Sequence, residues 1–231
     1  MVSIIIPVFN EEKNIGKLVA FLKENTTVGD AEIIVVDGGS KDQTAAEAEK
    51  AGASVHKSPK KGRAQQMNYG AKVAKGEWLY FLHADSFPPP SFLNDIQKAI
   101  ESGACSGCFR LTFDRDHPAL TFYAWFTKFD VDLFRFGDQS LFVEKKVFNE
   151  INGFDEALVV MEDQEIVRRI KKRMQFRIIP KSVTTSARRY EEIGVFKLQL
   201  IFSIIVLLFY AGVKQETIVN FYRSHAISKT Y

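Results

Sequence analysis

The chain has 231 residues, 46% apolar and 26% charged, enough for a packed core and too apolar for wholesale disorder. With 31 basic and 28 acidic residues the formal charge is +3, which argues against a nucleic-acid binder on charge alone. Two cysteines, Cys105 and Cys108, cannot supply a disulfide framework. Val2-Ser3-Ile4-Ile5-Ile6-Pro7 follows the first residue without a basic region or a small-residue cleavage site, so the expectation is no signal peptide and a reducing, cytoplasmic setting.

In chain order, Val2 to Val8 is a short apolar strand, and Asn10-Glu11-Glu12 supplies a helix start. Ile15, Leu18, Val19 and Leu22 recur at helical spacing. Ile33-Ile34-Val35-Val36 is the β-branched run of a strand covered on both faces, broken by Gly38-Gly39-Ser40. A helix over 42–51, a strand at 54–56 and a helix from Arg63 to Ala74 follow. Trp78 to Leu82 reads as a fourth strand, and Pro88-Pro89-Pro90 precedes a helix through Ile100. Strands at 108–113 and 141–144, a helix over 162–174 and a last strand at 176–179 complete an α/β pattern with a mostly parallel central sheet and flanking helices. The tail from about residue 191 is wholly helical, so the expected division is a domain at 1–190 and an appendage at 191–231.

Open parallel sheets bind ligands outside the carboxyl ends of their strands, where the polar clusters of this chain fall. Asp37 ends a strand ahead of two glycines and is placed to accept hydrogen bonds from a base or ribose, or to act as a turn aspartate. His83 and Asp85, two apart at a strand end, are expected on one face, where a carboxylate would meet Mg2+ or Mn2+ bridged to a diphosphate; an N-cap or turn role is the alternative. Glu162-Asp163 opens a helix, either as dipole-stabilising acids or as a general base for an acceptor hydroxyl. Lys57, Lys60, Lys61 and Arg63 either close over phosphates or form a solvated face, and Arg168-Arg169 with Lys171-Lys172-Arg173 are assigned to solvent. Cys105 and Cys108 have metal-pair spacing, but no second pair and no following helix support it. No G-x-G-x-x-G follows the first strand, which argues against a nicotinamide enzyme.

Taken together, Ser3 to Glu12, Val35 to Thr44, Gly62 to Ala71, Phe81 to Asp85 and Glu162-Asp163 resemble, in order, the motifs of family 2 glycosyltransferases. Leu82-His83-Ala84-Asp85, Gly137-Asp138-Gln139 and Ser186 to Tyr190 resemble a bacterial subgroup associated with arsenosugar biosynthesis. The resemblance implies a GT-A fold, a nucleotide-diphosphate sugar donor and a divalent metal. It implies that Pro7, Asn10, Glu11, Asp37, Arg63 and Gln66 line the donor site, that Asp85 meets metal and phosphates, and that Asp163 is the base of an inverting displacement. His83 occupies the first position of the family's Asp-x-Asp; as a metal ligand it removes one negative charge and favours Mn2+ over Mg2+. A non-catalytic nucleotide-binding scaffold on the same fold is the competing expectation.

From Leu198 to Val213 the chain carries no charge over 16 residues, short of the roughly 20 a spanning helix needs. Core packing, a homodimer interface or contact of 196–213 with a bilayer surface are the expectations for it. A lipid-linked acceptor, and a location peripheral to the inner face of the membrane, would suit the last of these.

Overall fold

Val2–Val8 forms strand β1, and its side chains alternate between two cores as a pleated strand requires. The structure, a computed structural model, describes residues 1–27 and 29–226; positions 227–231 of the expected tail lie outside the described residues. The further strands are β2 (Ala31–Asp37), β3 (Ser54–Lys57), β4 (Trp78–Phe81), β5 (Ser86–Phe87), β6 (Ser106–Phe113), β7 (Leu141–Glu144) and β8 (Phe176–Thr185). They form one sheet in the order β3-β2-β1-β4-β7-β6-β8-β5. Pairs β1/β2, β1/β4, β2/β3 and β6/β8 are parallel, whereas β7 runs antiparallel to both β4 and β6.

Helices α1 (Ile15–Glu24), α2 (Thr44–Lys50), α3 (Arg63–Val73), α4 (Phe92–Glu101), α5 (Pro118–Trp125), α6 (Lys145–Glu150) and α7 (Glu162–Lys171) flank the sheet. Ile4, Ile6 and Val8 enter a core with Leu18 of α1 and Phe92 and Ile96 of α4. Ile5 faces the other side, with Met67 of α3 and Ile166 and Ile170 of α7. Each such isoleucine, fully buried, contributes about 1.5–3 kcal/mol relative to exposure. Gly70 lets α3 approach β1 closely: a Cβ there would lie 2.4 Å from Ile5 Cγ2.

Two sequence expectations change. The strand starting at Phe176 runs on to Thr185 through Pro180, with a register shift opposite Phe109 and Arg110. Proline has no N–H to donate, and the irregularity accommodates it where β5 covers only Thr184 and Thr185. Arg169 and Lys171 do not face solvent as free charges. Arg169 bonds the Ile151 and Gly153 carbonyls and Glu165, while Lys171 Nζ lies 2.8 Å from Asp130 and 2.6 Å from Asp132. Between Asp114 and Gly137, a stretch to which the sequence pattern assigns no element, α5 starts with Pro118 after the capping His117.

The tail folds as α8 (Arg188–Ile193), α9 (Val195–Tyr210) and α10 (Gln215–Ala226). Leu198, Ile201 and Ile205 pack with Ile218 in a third core that also receives Val160, Met161 and Tyr190. Gln215 bonds the Val160 carbonyl and the Val159 N–H, so the tail is tied to the segment just ahead of α7. Among the described residues no helix is long and apolar enough to cross a membrane.

Candidate active site

The carboxyl ends of β1, β2 and β4 converge on one edge, and the loops leaving them are laced together. Asn10 takes the left-handed conformation at φ +56°, which asparagine tolerates. Its N–H donates to Ser40 Oγ at 2.9 Å and its Oδ1 accepts from the Lys41 N–H at 2.9 Å. Asp37, 8% exposed, accepts from the Ser40 N–H at 3.0 Å and from the Ser40 hydroxyl. Its carboxylate thus shapes its own turn. Pro7 lies within β1 opposite Val36. Gln66 departs from the expected ligand role: its buried amide nitrogen donates to the Val8 and Val36 carbonyls at 2.8 and 2.7 Å. It braces the ends of β1 and β2 from beneath.

The second half of the site hangs on Arg63, the first residue of α3. Its Nη1 lies 3.1 Å from Glu162 Oε1 and 3.7 Å from Asp163 Oδ2. Met161, left-handed at φ +70°, turns the chain into α7 and presents both acids at that helix start. Glu162 is almost fully buried. Burial and the neighbouring Asp163 push its carboxyl up to about 7, against the pull of Arg63.

His83 and Asp85 do not share a strand face, because β4 ends at Phe81 and both residues lie in the turn that follows. The Ser86 N–H closes that turn onto the His83 carbonyl at 3.2 Å. His83 Nδ1 lies 3.0 Å from Asp138 Oδ1. Burial and Arg63 lower the imidazole's proton affinity, but the Asp138 hydrogen bond and the charge of Asp163 outweigh them, and its pKa stands above the usual value. Asp138 is conversely held below the carboxylate range: burial opposes ionisation, and the His83 hydrogen bond with the charges of His83 and Arg63 overcomes it. Asp85 is raised by burial, then by Asp138 and Glu11, with His83 and Arg188 opposing. Arg188 Nη2 also lies 3.3 Å from Glu11 Oε1.

Gly137 closes the site. A Cβ at this position would stand 2.2 Å from Asp163 Oδ2 and 2.6 Å from His83 Cε1. His83, Phe136, Gly137 and Asp163 line one narrow pocket. Asp138 and Arg188 were not singled out as site residues by sequence reasoning. The available signal was the pair of segments Gly137-Asp138-Gln139 and Ser186 to Tyr190.

No cluster of three or more metal-type ligands occurs among the described residues. The donor chemistry nevertheless fits a hard cation. Asp85 sits among like charges from Asp138 and Glu11 that a cation would relieve, and such ions are commonly held by one or two carboxylates plus substrate phosphates. His83 is engaged through Nδ1, which leaves Nε2 as its remaining donor atom toward a metal.

This is an α/β domain of the GT-A type, with its acidic site at the carboxyl ends of the parallel strands. Residues 3–146 match the model of Glycosyl transferase family 2, and the chain belongs to that family. An uncharacterized glycosyltransferase of Haemophilus influenzae is 30% identical over 103 residues, covering 44% of this chain and 35% of that protein. Dolichol-phosphate mannosyltransferase of Pyrococcus furiosus is 29% identical over 108 residues, covering 45% and 31%. The chain thus spans less than half the length of these curated relatives. Among solved structures, mannosyltransferase PcManGT of Pyrobaculum calidifontis, in complex with GDP-Man and Mn2+, superimposes with a TM-score of 0.72 at 15% identity, over 90% of this chain and 61% of that one. TarS of S. aureus gives 0.67 at 19% identity, over 96% and 72%.

Proposed function

We propose that the chain transfers a sugar from a nucleotide-diphosphate donor to an acceptor hydroxyl, with inversion at the anomeric carbon. The observation that carries this reading is the convergence of Arg63, Asp85, Asp138 and Asp163 at the strand ends of a family 2 domain. Neighbouring folds bound to GDP-Man or UDP-GlcNAc support the donor class. In this reading Pro7, Asn10, Glu11 and Asp37 shape the nucleotide side, residues 1–190 form the catalytic unit, and 191–231 form the appendage.

A divalent ion, Mn2+ or Mg2+, would be held by Asp85 with His83 beside it and would supply charge neutralisation for the leaving diphosphate. Arg63, anchored by Glu162, adds a fixed positive charge on the same side. Asp163, 20% exposed, accepts the proton from the acceptor hydroxyl as its oxygen attacks the anomeric carbon. Phe136 and Gly137 narrow the approach and limit water at the reacting centre. The narrower subgroup placement rests on the segments around His83, Asp138 and Arg188.

Incubation with UDP- and GDP-sugars, with binding and sugar release followed separately, tests the proposal. Metal-stimulated donor binding and turnover, with turnover alone lost in Asp163→Asn, is the expected result. Donor binding with no turnover under any acceptor or metal condition would favour the scaffold reading.

A further inference from the structure

The end of β8 is zipped to the turn that carries Asp85. Thr185 pairs with Ser86 of β5, their hydroxyls lie 3.0 Å apart, and the Ser186 N–H donates to the Asp85 carbonyl at 3.2 Å. The N–H of the fully buried Ala187 donates to Asp114 Oδ1 at 2.8 Å. The backbone at Arg188 is therefore fixed beside Asp85, while its side chain stays 47% exposed. The guanidinium reaches back 177 residues to the acid that follows β1, Nη2 standing 3.3 Å from Glu11 Oε1. Glu11 is held separately, because its Oε2 accepts from Asn14 Nδ2 at 2.7 Å. Among the described residues Glu11 is the guanidinium's one hydrogen-bond partner, so most of its five N–H donors remain available.

Charge gives this arginine a task. Glu11, Asp85, Asp138 and Asp163 gather at the strand ends, and a phosphate entering among them needs cations. Arg63 is already shared by Glu162 and Asp163, and His83 is engaged by Asp138. Burial works against a charge on Arg188, but Glu11 and then Asp85 outweigh it. Topology indicates which phosphate it meets. β2, which ends in Asp37, lies on one side of β1, whereas β4 and β8 lie on the other. Arg188 thus approaches from the side remote from the nucleoside end, where the sugar is attached.

We propose that Arg188 binds the sugar-proximal phosphate of the donor and holds it as it leaves, with Glu11 as the guanidinium's resting partner. The planar fork of a guanidinium fits two phosphate oxygens at once, and a single contact at 3.3 Å is readily exchanged for that pair. In the transfer, the acceptor oxygen bonds to the anomeric carbon as the bond from that carbon to the phosphate oxygen breaks. The electron pair of the broken bond stays on the diphosphate, and Asp163 takes the acceptor proton. The negative charge gained by the diphosphate then falls where Arg188 stands. This role rests on the sugar-transfer reading and adds a residue to it.

The test is calorimetric titration of the full chain with UDP and GDP, each beside its monophosphate, at saturating Mn2+. Arg188→Ala is expected to weaken binding of the preferred diphosphate at least about tenfold, and of the matching monophosphate no more than about twofold. Arg188→Lys, which keeps the charge and loses the fork, is expected to fall between. Thermal unfolding checks the fold, and Arg188→Gln gives the same comparison if the alanine variant melts early. Unchanged diphosphate affinity, an equal loss for both nucleotides, or a loss that further Mn2+ repairs overturns the inference and leaves the sugar-transfer reading standing. Failure of the wild-type chain to bind any of the four nucleotides overturns both.

Discussion

Arg63 Nη1 reaches Glu162 Oε1 at 3.1 Å across 99 residues of chain, joining the first turn of α3 to the first turn of α7. The contact couples the proposed donor side of the site to the proposed base, because Glu162 is adjacent to Asp163. Glu162 is the buried member of the pair, whereas the Arg63 side chain is 49% exposed.

That asymmetry sets a pH dependence. Glu162 has a folded pKa pushed up to about 7 from 4.5, so its stabilising contribution is complete below 4.5 and is lost as pH rises through about 7. Glu162→Gln has no such titration. Thermal melts of both proteins from pH 5 to pH 8 are expected to show the difference moving steadily in favour of the variant as pH rises. A constant offset would mean that Glu162 titrates normally in the fold.

Asp163→Asn is expected to lower kcat by about 10²–10⁴-fold, the range for loss of a general base, while donor affinity stays within a few-fold. Calorimetry and single-turnover kinetics separate the two quantities. An equal loss in binding would assign Asp163 to donor recognition instead.

For Asp85→Asn the expected outcome is loss of the metal-dependent part of donor binding, at least about tenfold, or roughly 1.4 kcal/mol. Wild-type protein stripped with EDTA is expected to behave like the variant, and Mn2+ to rescue only the wild type. Metal rescue of both proteins would place the cation elsewhere.

Gly137→Ala introduces a methyl group 2.2 Å from Asp163 Oδ2 and 2.6 Å from His83 Cε1. Overpacking of this kind costs about 1–3 kcal/mol, and the displaced groups are those proposed for chemistry. Turnover is therefore expected to fall more than thermal stability does, as paired activity and unfolding measurements would show.

Gln66→Leu leaves the buried Val8 and Val36 carbonyls without the amide that bonds them. The Val8 carbonyl keeps the Gly38 N–H at 2.9 Å, so a loss of about 1–3 kcal/mol in all is expected in denaturant titration, along with weaker donor binding as the two loops loosen. Unchanged stability would show that water replaces the amide.

Local pattern was enough for β1 and β2, whose apolar runs are legible without tertiary information, but not for β5 or for the end of β8, which exist through their pairing with each other. It was not enough for His83 and Asp85, where a two-residue spacing suggested a shared strand face and a turn intervened. Nor could it show that Arg169 and Lys171 are braces, since their partners Ile151, Gly153, Asp130 and Asp132 come from other segments.

By itself the amino-acid order determined the α/β class, the family, the positions of Asp37, Arg63 and Asp163 at strand and helix ends, and an apolar tail too short to span a bilayer. These are properties of neighbouring residues, set by period, turn chemistry and motif. The tertiary structure alone decided that Asp138 meets His83, that Arg63 is shared by Glu162 and Asp163, that Gln66 supports strand ends, and that α9 leaves one stripe uncovered beside an aromatic cluster. Each depends on long-range contact, and charge, burial and exposure are set by what the fold brings within a few ångströms rather than by what precedes a residue in the chain.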